Sequence, residues 1–191
     1  MAHAGRDDGD RRQPESADSE SSAEGLAQDQ PPGSHVDRPV APAVYGFARA
    51  TAPLLEWPQV EARLSEARNY WLATVRPNRR PHVTPVWGVW VDTVFYFSGF
   101  PAAQWARNLA VNPEISMHLD SGDEVVIVEG MAEDVVTDAD VSARIVAAWD
   151  AKYGRLHPEP ATDGIFRLRP RTVRAWTDAS TFSDATRWTW P

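Results

Sequence analysis

Beyond residue 44 the chain carries three histidines, His82, His118 and His157, and around the first of them a run of hydroxyl and aromatic residues: Thr84, Trp87, Trp90, Tyr96 and Ser98. The histidines lie too far apart for a helical zinc pair, and each reads as an exposed or hydrogen-bonded side chain rather than a ligand. There is no cysteine, which excludes disulfides and thiolate metal sites. No glycine-rich phosphate loop and no nucleophile elbow is present. What remains is a strand pair walled by indoles and edged with hydroxyls. A planar heteroaromatic ligand could lie edge-on to such a strand, with main-chain N–H and C=O groups as its polar partners. The same residues equally suit an ordinary aromatic barrel core, since aromatics in strands need no ligand to explain them.

The elements that must position these residues centre on Asn69 to Gly99. Trp71, Ala73 and Val75 alternate with Leu72, Thr74 and Arg76, the period of two of a half-buried strand. Pro77 and Asn78 supply a turn. From His82 to Val91 the alternation resumes, with both faces largely apolar, which predicts one long strand covered on both sides. Asp92 and Thr93 turn the chain into a third, aromatic strand, Val94 to Ser98. Pro58 opens a predicted helix with Val60, Leu64 and Ala67 on one stripe, and Pro101 opens a second over Ala102 to Ala110. Further strands are expected at Ile115 to Leu119, Glu124 to Val135, and Ile165 to Leu168 with Val173 to Trp176. Thr137 and Asp140 resemble a capping box, and Val141, Ile145, Trp149 and Tyr153 trace one helix face ending near Gly154. This succession predicts a mainly β chain, a six-stranded antiparallel split β-barrel with inserted helices.

Composition divides the chain. Residues 1–43 are rich in Asp, Glu, Ser, Gly, Gln and Pro and read as a disordered tail, followed by one domain over 44–191. Residues 1 to 44 hold nine acids and four bases, so most of the net charge of −8 resides there and the body carries −3. That balance argues against nucleic-acid binding. With neither a secretory leader nor a membrane-length apolar run, a cytoplasmic protein without membrane contact is expected. The extensive apolar faces around Val86 and Val126 predict a homodimer.

The segments WLATVRPNRRPHVTPVWGVWVDTVFYFSGF and ARNLAVNPEISMHLDSGDEVVIVEG, with the ending FRLRPRTVRAWTDASTFSDATRWTW, resemble the pyridoxamine 5'-phosphate oxidase-like split-barrel superfamily, in particular its actinobacterial flavin and deazaflavin oxidoreductases. The resemblance spans roughly residues 55 to 190. It implies a homodimer binding the deazaflavin coenzyme F420, or alternatively FMN, and acting on a small-molecule substrate. His82, Thr84, Pro85, Val86 and Trp87 would run beside the ring. Ser98, Gly99, Arg107 and Asn108 would lie toward the ribityl phosphate, and Arg187 and Trp188 would belong to a tail reaching across the dimer. The resemblance also shows a departure: Trp105 stands where relatives carry a phosphate-binding lysine, a charge-assisted contact worth about 1.5–3 kcal/mol. Arg76, Arg79, Arg80 or Arg107 could replace it only if the fold brings one near. The alternative reading is a non-catalytic module binding a planar ligand such as haem or a tetrapyrrole, or a homologue that has lost cofactor binding.

Overall fold

Apolar residues at every second position become strands of one antiparallel sheet. The computed structural model describes residues 30–40, 52–154, 158, 163–177 and 182–191. Among them are nine strands: β1 His35–Asp37, β2 Tyr70–Val75, β3 Pro81–Val86, β4 Gly88–Val91, β5 Val94–Gly99, β6 Glu114–His118, β7 Val125–Asp134, β8 Gly164–Trp176 and β9 Thr186–Thr189. Three helices join them: α1 Trp57–Glu66, α2 Gln104–Leu109 and α3 Ala139–Tyr153. The sheet runs β1-β9-β8-β7-β6-β2-β3, and β5 bridges β8 and β4 off that path. The mainly β, antiparallel class is as expected, but the strand count is nine and not six.

The long strand expected from His82 to Val91 is two. β3 pairs with β2, whereas β4 pairs with β5, so the chain crosses the barrel at Trp87. Gly88 makes the crossing feasible, because a Cβ there would meet the Phe95 ring at 2.4 Å and the Tyr96 carbonyl oxygen at 2.6 Å. Near the C-terminus, where one strand or a pair is expected, Ile165 to Leu168 and Val173 to Trp176 belong to a single strand, β8. Its Pro170 sits opposite Gly130, where the β7 register shifts, and a bulge absorbs the donor that proline lacks.

The predicted tail needs a larger correction. Within residues 1–43, His35–Asp37 forms β1 and pairs with β9. Arg187 donates to both carboxylate oxygens of Asp37, at 2.8 and 2.5 Å, and Trp188 Nε1 donates to Gln30 Oε1 at 2.6 Å. Residues 1–29 and 41–43 of the predicted tail, and His157, lie outside the described part. At α3 the cap is Asp138, which accepts from Val141 N–H at 2.9 Å, and not Thr137. Gly154, with φ of 69°, ends that helix in the left-handed region.

Two apolar clusters form. The main core lies between the sheet walls and includes Trp57, Leu72, Trp90, Phe97, Trp105, Phe166 and Trp188. The second joins α3 to the outer side of β4 and β5 through Val89, Tyr96, Ile145, Trp149 and Tyr153. No helix among the described residues is long and apolar enough to cross a membrane.

Candidate functional site

β3 ends the sheet, so its far edge has no partner strand among the described residues. Its register decides what that edge offers. Arg76 N–H bonds Arg80 O at 3.0 Å, which makes that pair the hydrogen-bonded kind, and the kind alternates along an antiparallel ladder. Thr74 and His82, Leu72 and Thr84, and Tyr70 and Val86 are therefore bonded pairs. Pro81, Val83 and Pro85 turn their main-chain groups to the open edge. Two of these three are prolines, so the edge presents three carbonyls and a single amide donor, Val83 N–H.

The two faces of β3 differ. His82, Thr84 and Val86 share a face with their cross-strand partners Thr74, Leu72 and Tyr70, all buried. Pro81, Val83 and Pro85 lie on the outer face with Val75; Val83 is 52% exposed and Val75 39%. The expectation that this strand is covered on both sides is therefore wrong for β3 and right for β4.

Behind the edge stands a chain of hydrogen bonds. Asn108, fully buried, donates from Nδ2 to Thr74 Oγ1 at 2.9 Å and accepts from Gln104 Nε2 at 2.8 Å. Thr74 Oγ1 lies 3.3 Å from His82 Nδ1. Burial, and then the nearby Arg76 guanidinium, holds the His82 imidazole below its ordinary range, so the neutral ring prevails. Neither Thr74 nor Gln104 was foreseen from the sequence. The available signals were a hydroxyl on the apolar stripe of Tyr70 and Leu72, and an amide pair at i and i+4.

Positive charge collects at this end. Arg76, Arg79 and Arg80 belong to the β2–β3 turn, where Arg79 has φ of 66°. Arg107 donates to the Ala102 carbonyl at 2.6 Å and to Gln104 Oε1 at 3.1 Å. None of these four has a carboxylate partner among the described residues.

At the other end of β3, Trp87 stacks on Tyr153 with ring centroids 4.7 Å apart, and Arg68 lies 5.6 Å from both rings. Tyr153 OH donates to Arg68 O at 2.7 Å and accepts from Gly88 N–H at 3.1 Å. Lys152 Nζ donates to Tyr70 OH at 2.6 Å, and burial pulls its pKa down to about 8.

Several expected site residues lie elsewhere. Val86 is buried at 8% exposure in the main core, and Asn108 reaches the edge only through Thr74. Ser98 donates to Gly164 O at 3.0 Å. Arg187 and Trp188 sit on β9, away from β3 in the sheet order, and both are engaged within the chain by Asp37 and Gln30. They are not at the β3 edge of their own subunit. The run of hydroxyl and aromatic residues that follows His82 divides as well. Trp90 packs in the main core and donates to Glu61 Oε1 at 3.2 Å, Tyr96 joins the second cluster, and Trp87 points to the side opposite Thr84. Trp105 is a core side chain, 6% exposed, against Phe97, Phe166 and Gly99. It does not occupy the edge. Concavities of about 690 and 390 Å³ lie on other parts of the surface, and neither is lined by a residue of β3.

The fold is thus an antiparallel split barrel with one exposed, donor-poor edge strand. The family model of pyridoxamine 5'-phosphate oxidase matches residues 57–177, and the chain belongs to that family. Among solved structures it is similar to the conserved hypothetical protein Rv2991 of Mycobacterium tuberculosis, at 23% identity over 66% of this chain and 87% of that one, with a TM-score of 0.54. A putative pyridoxamine 5'-phosphate oxidase from Listeria innocua matches at 15% identity over 63% and 98%, with a TM-score of 0.52. An F420 reductase is 30% identical over 59% and 94%, with a TM-score of 0.49. No curated protein matches the sequence.

Proposed function

We propose that this protein is an oxidoreductase that holds the deazaflavin coenzyme F420, or FMN, along the open edge of β3 and reduces a small conjugated organic substrate. The observation that carries the reading is that edge: Val83 N–H between two prolines, His82 and Thr84 on the inner face, and four arginines at the turn and on α2 with no carboxylate partner among the described residues. When bound, the cofactor supplies a hydride from its ring to an electrophilic carbon of the substrate, and solvent supplies the balancing proton. The chain's own residues bind and orient. Val83 N–H and the carbonyls of Pro81, Val83 and Pro85 meet the polar rim, while Arg76, Arg79, Arg80 and Arg107 offer charge for the ribityl phosphate in place of the lysine that Trp105 replaces. The choice of F420 follows from the sequence resemblance to deazaflavin oxidoreductases.

The reading includes a homodimer. In a single chain the edge is an open shelf, and the adjoining outer face leaves Val75 and Val83 exposed. A second copy packed on that face covers the apolar surface and closes the shelf into a slot.

The test is a spectroscopic titration of purified protein with F420 and with FMN, followed by turnover of a conjugated enone with the reduced cofactor. Binding below about 50 μM supports the reading, and no binding of either at that level overturns it. The burial of Trp105, which leaves no lysine at that position, favours a second reading: a non-catalytic holder of haem or another planar ligand. An as-purified Soret band without turnover would select it.

A further inference from the structure

The hydrogen bonds behind β3 have a direction, and Arg107 sets it. A guanidinium can only donate, so the Gln104 oxygen that receives it, at 3.1 Å, is the acceptor end of that amide. Gln104 therefore turns Nε2 toward Asn108, whose Oδ1 accepts at 2.8 Å. Asn108 in turn offers Nδ2 to Thr74 Oγ1 at 2.9 Å. The Thr74 hydroxyl, having accepted, has one proton left to give. Two acceptors lie in reach, both on His82: Nδ1 at 3.3 Å and the carbonyl oxygen at 3.5 Å. The carbonyl stands at the outer limit for a hydrogen bond and Nδ1 is the nearer of the two, so Nδ1 takes the hydroxyl proton. Asn108 is 0% exposed and Thr74 2%, which leaves water little access to reverse either link.

We propose that His82 is a neutral hydrogen-bond donor through Nε2–H, its tautomer fixed by the one-way relay Arg107, Gln104, Asn108, Thr74, and that it selects ligands bearing an acceptor atom on the rim facing β3. Nε2 has no partner among the described residues and is free for a ligand. Nε2–H on the inner face and Val83 N–H at the edge make two donors on one strand, a match for a heterocycle with carbonyl or imine acceptors. A group fixed as Nε2–H has no lone pair there to bind iron, so His82 is not an axial haem ligand through Nε2. Gln104, Asn108 and Thr74 are positioning residues, since they act only through His82. The tautomer stands on the chain alone, and only the ligand preference rests on the function proposed above.

The experiment is long-range ¹H–¹⁵N correlation on ligand-free protein labelled at histidine, with His82 assigned by its absence in His82→Gln. His118 is an internal reference of opposite kind, because its Nδ1 bonds Leu119 O at 2.8 Å and must carry the proton. The expected result is an unprotonated Nδ1 and a protonated Nε2 for His82. Gln104→Glu is the decisive variant. A carboxylate accepts from both Arg107 and Asn108, the Asn108 amide turns over, and the Thr74 hydroxyl then donates to Asn108 and accepts from His82. The tautomer of His82 should invert from mostly Nε2–H to mostly Nδ1–H while His118 stays as it was.

Should Gln104→Glu fail to fold, Thr74→Val reads the same relay. The neutral ring loses its donor, and the midpoint of the His82 titration rises. An Nδ1–H majority in the unaltered protein, or no response to either variant, overturns the relay. Adding F420 or FMN then separates the two ideas: no binding defeats the functional reading and leaves the tautomer standing. Binding that leaves the Nε2–H signal unmoved overturns the ligand preference.

Discussion

Restoring the lysine that the resemblance expects at position 105 should damage the protein rather than improve it. Trp105 is 6% exposed, with ring centroids 5.3 Å from Phe97 and 4.9 Å from Phe166, and its ring already crowds Gly99, where a Cβ would sit 2.9 Å from Cζ2. A buried tryptophan removes about 150–250 Å² from water, and truncating one costs about 3–5 kcal/mol. In Trp105→Lys the aliphatic stem recovers part of that loss, but the ammonium must leave the pocket or be desolvated, so a net cost of about 3–5 kcal/mol stands. For a domain of this size each kcal/mol moves Tm by about 2–4 °C, which puts the expected fall near 10 °C. Thermal unfolding followed by far-UV circular dichroism, with and without cofactor, measures it. A Tm within about 2 °C of the unaltered protein together with tighter cofactor binding would refute the reasoning, because position 105 would then face the phosphate and not the core.

Deleting residues 1–40 removes β1 and the Asp37–Arg187 pair, so Tm should drop by about 4 °C or more; an unchanged Tm would show that β1 adds nothing. Arg187→Leu should likewise loosen β1 yet leave cofactor affinity within about twofold, as titration would show. Gly88→Ala should cost about 2–3 kcal/mol in urea unfolding, since the methyl meets the Phe95 ring and the rigid Tyr96 carbonyl. Lys152 has a pKa of about 8 in the fold against 10.5 when free, so between those values the unfolded chain holds the extra proton. Stability should therefore rise as pH climbs from 8 to 10.5, and Lys152→Met should abolish that rise in pH-resolved melting curves.

The sequence made the strands legible because most of them bury one face more than the other, and period two survives every change of partner. His82 to Val91 keeps its alternation through Trp87. What changes there is the neighbour, from β2 to β5, and nothing local in the chain announces it except Gly88. β1 stayed hidden for a related reason. His35–Asp37 has almost no apolar pattern, and its place depends on Arg187 and Trp188, about 150 residues away. The site divided along the same line. His82 and Thr84 lie on an edge strand that the sequence pattern reads as covered on both sides, while the assignment of Arg187 and Trp188 rested on likeness to relatives and met an intrachain partner for each. The relay behind His82 was out of reach because it joins a helix to a strand through Asn108 and Thr74, whose contact only the closed barrel creates.

The two prolines of β3 also bear on how copies of this chain can meet. Intermolecular sheets grow by strand addition, and each added strand needs a row of outward amides to dock on. Here that row holds one, so association through this margin is suppressed even though it lies bare. The homodimer proposed above would then form flat side to flat side, through Val75 and Val83, and would leave the rim of the strand open to something smaller than a protein.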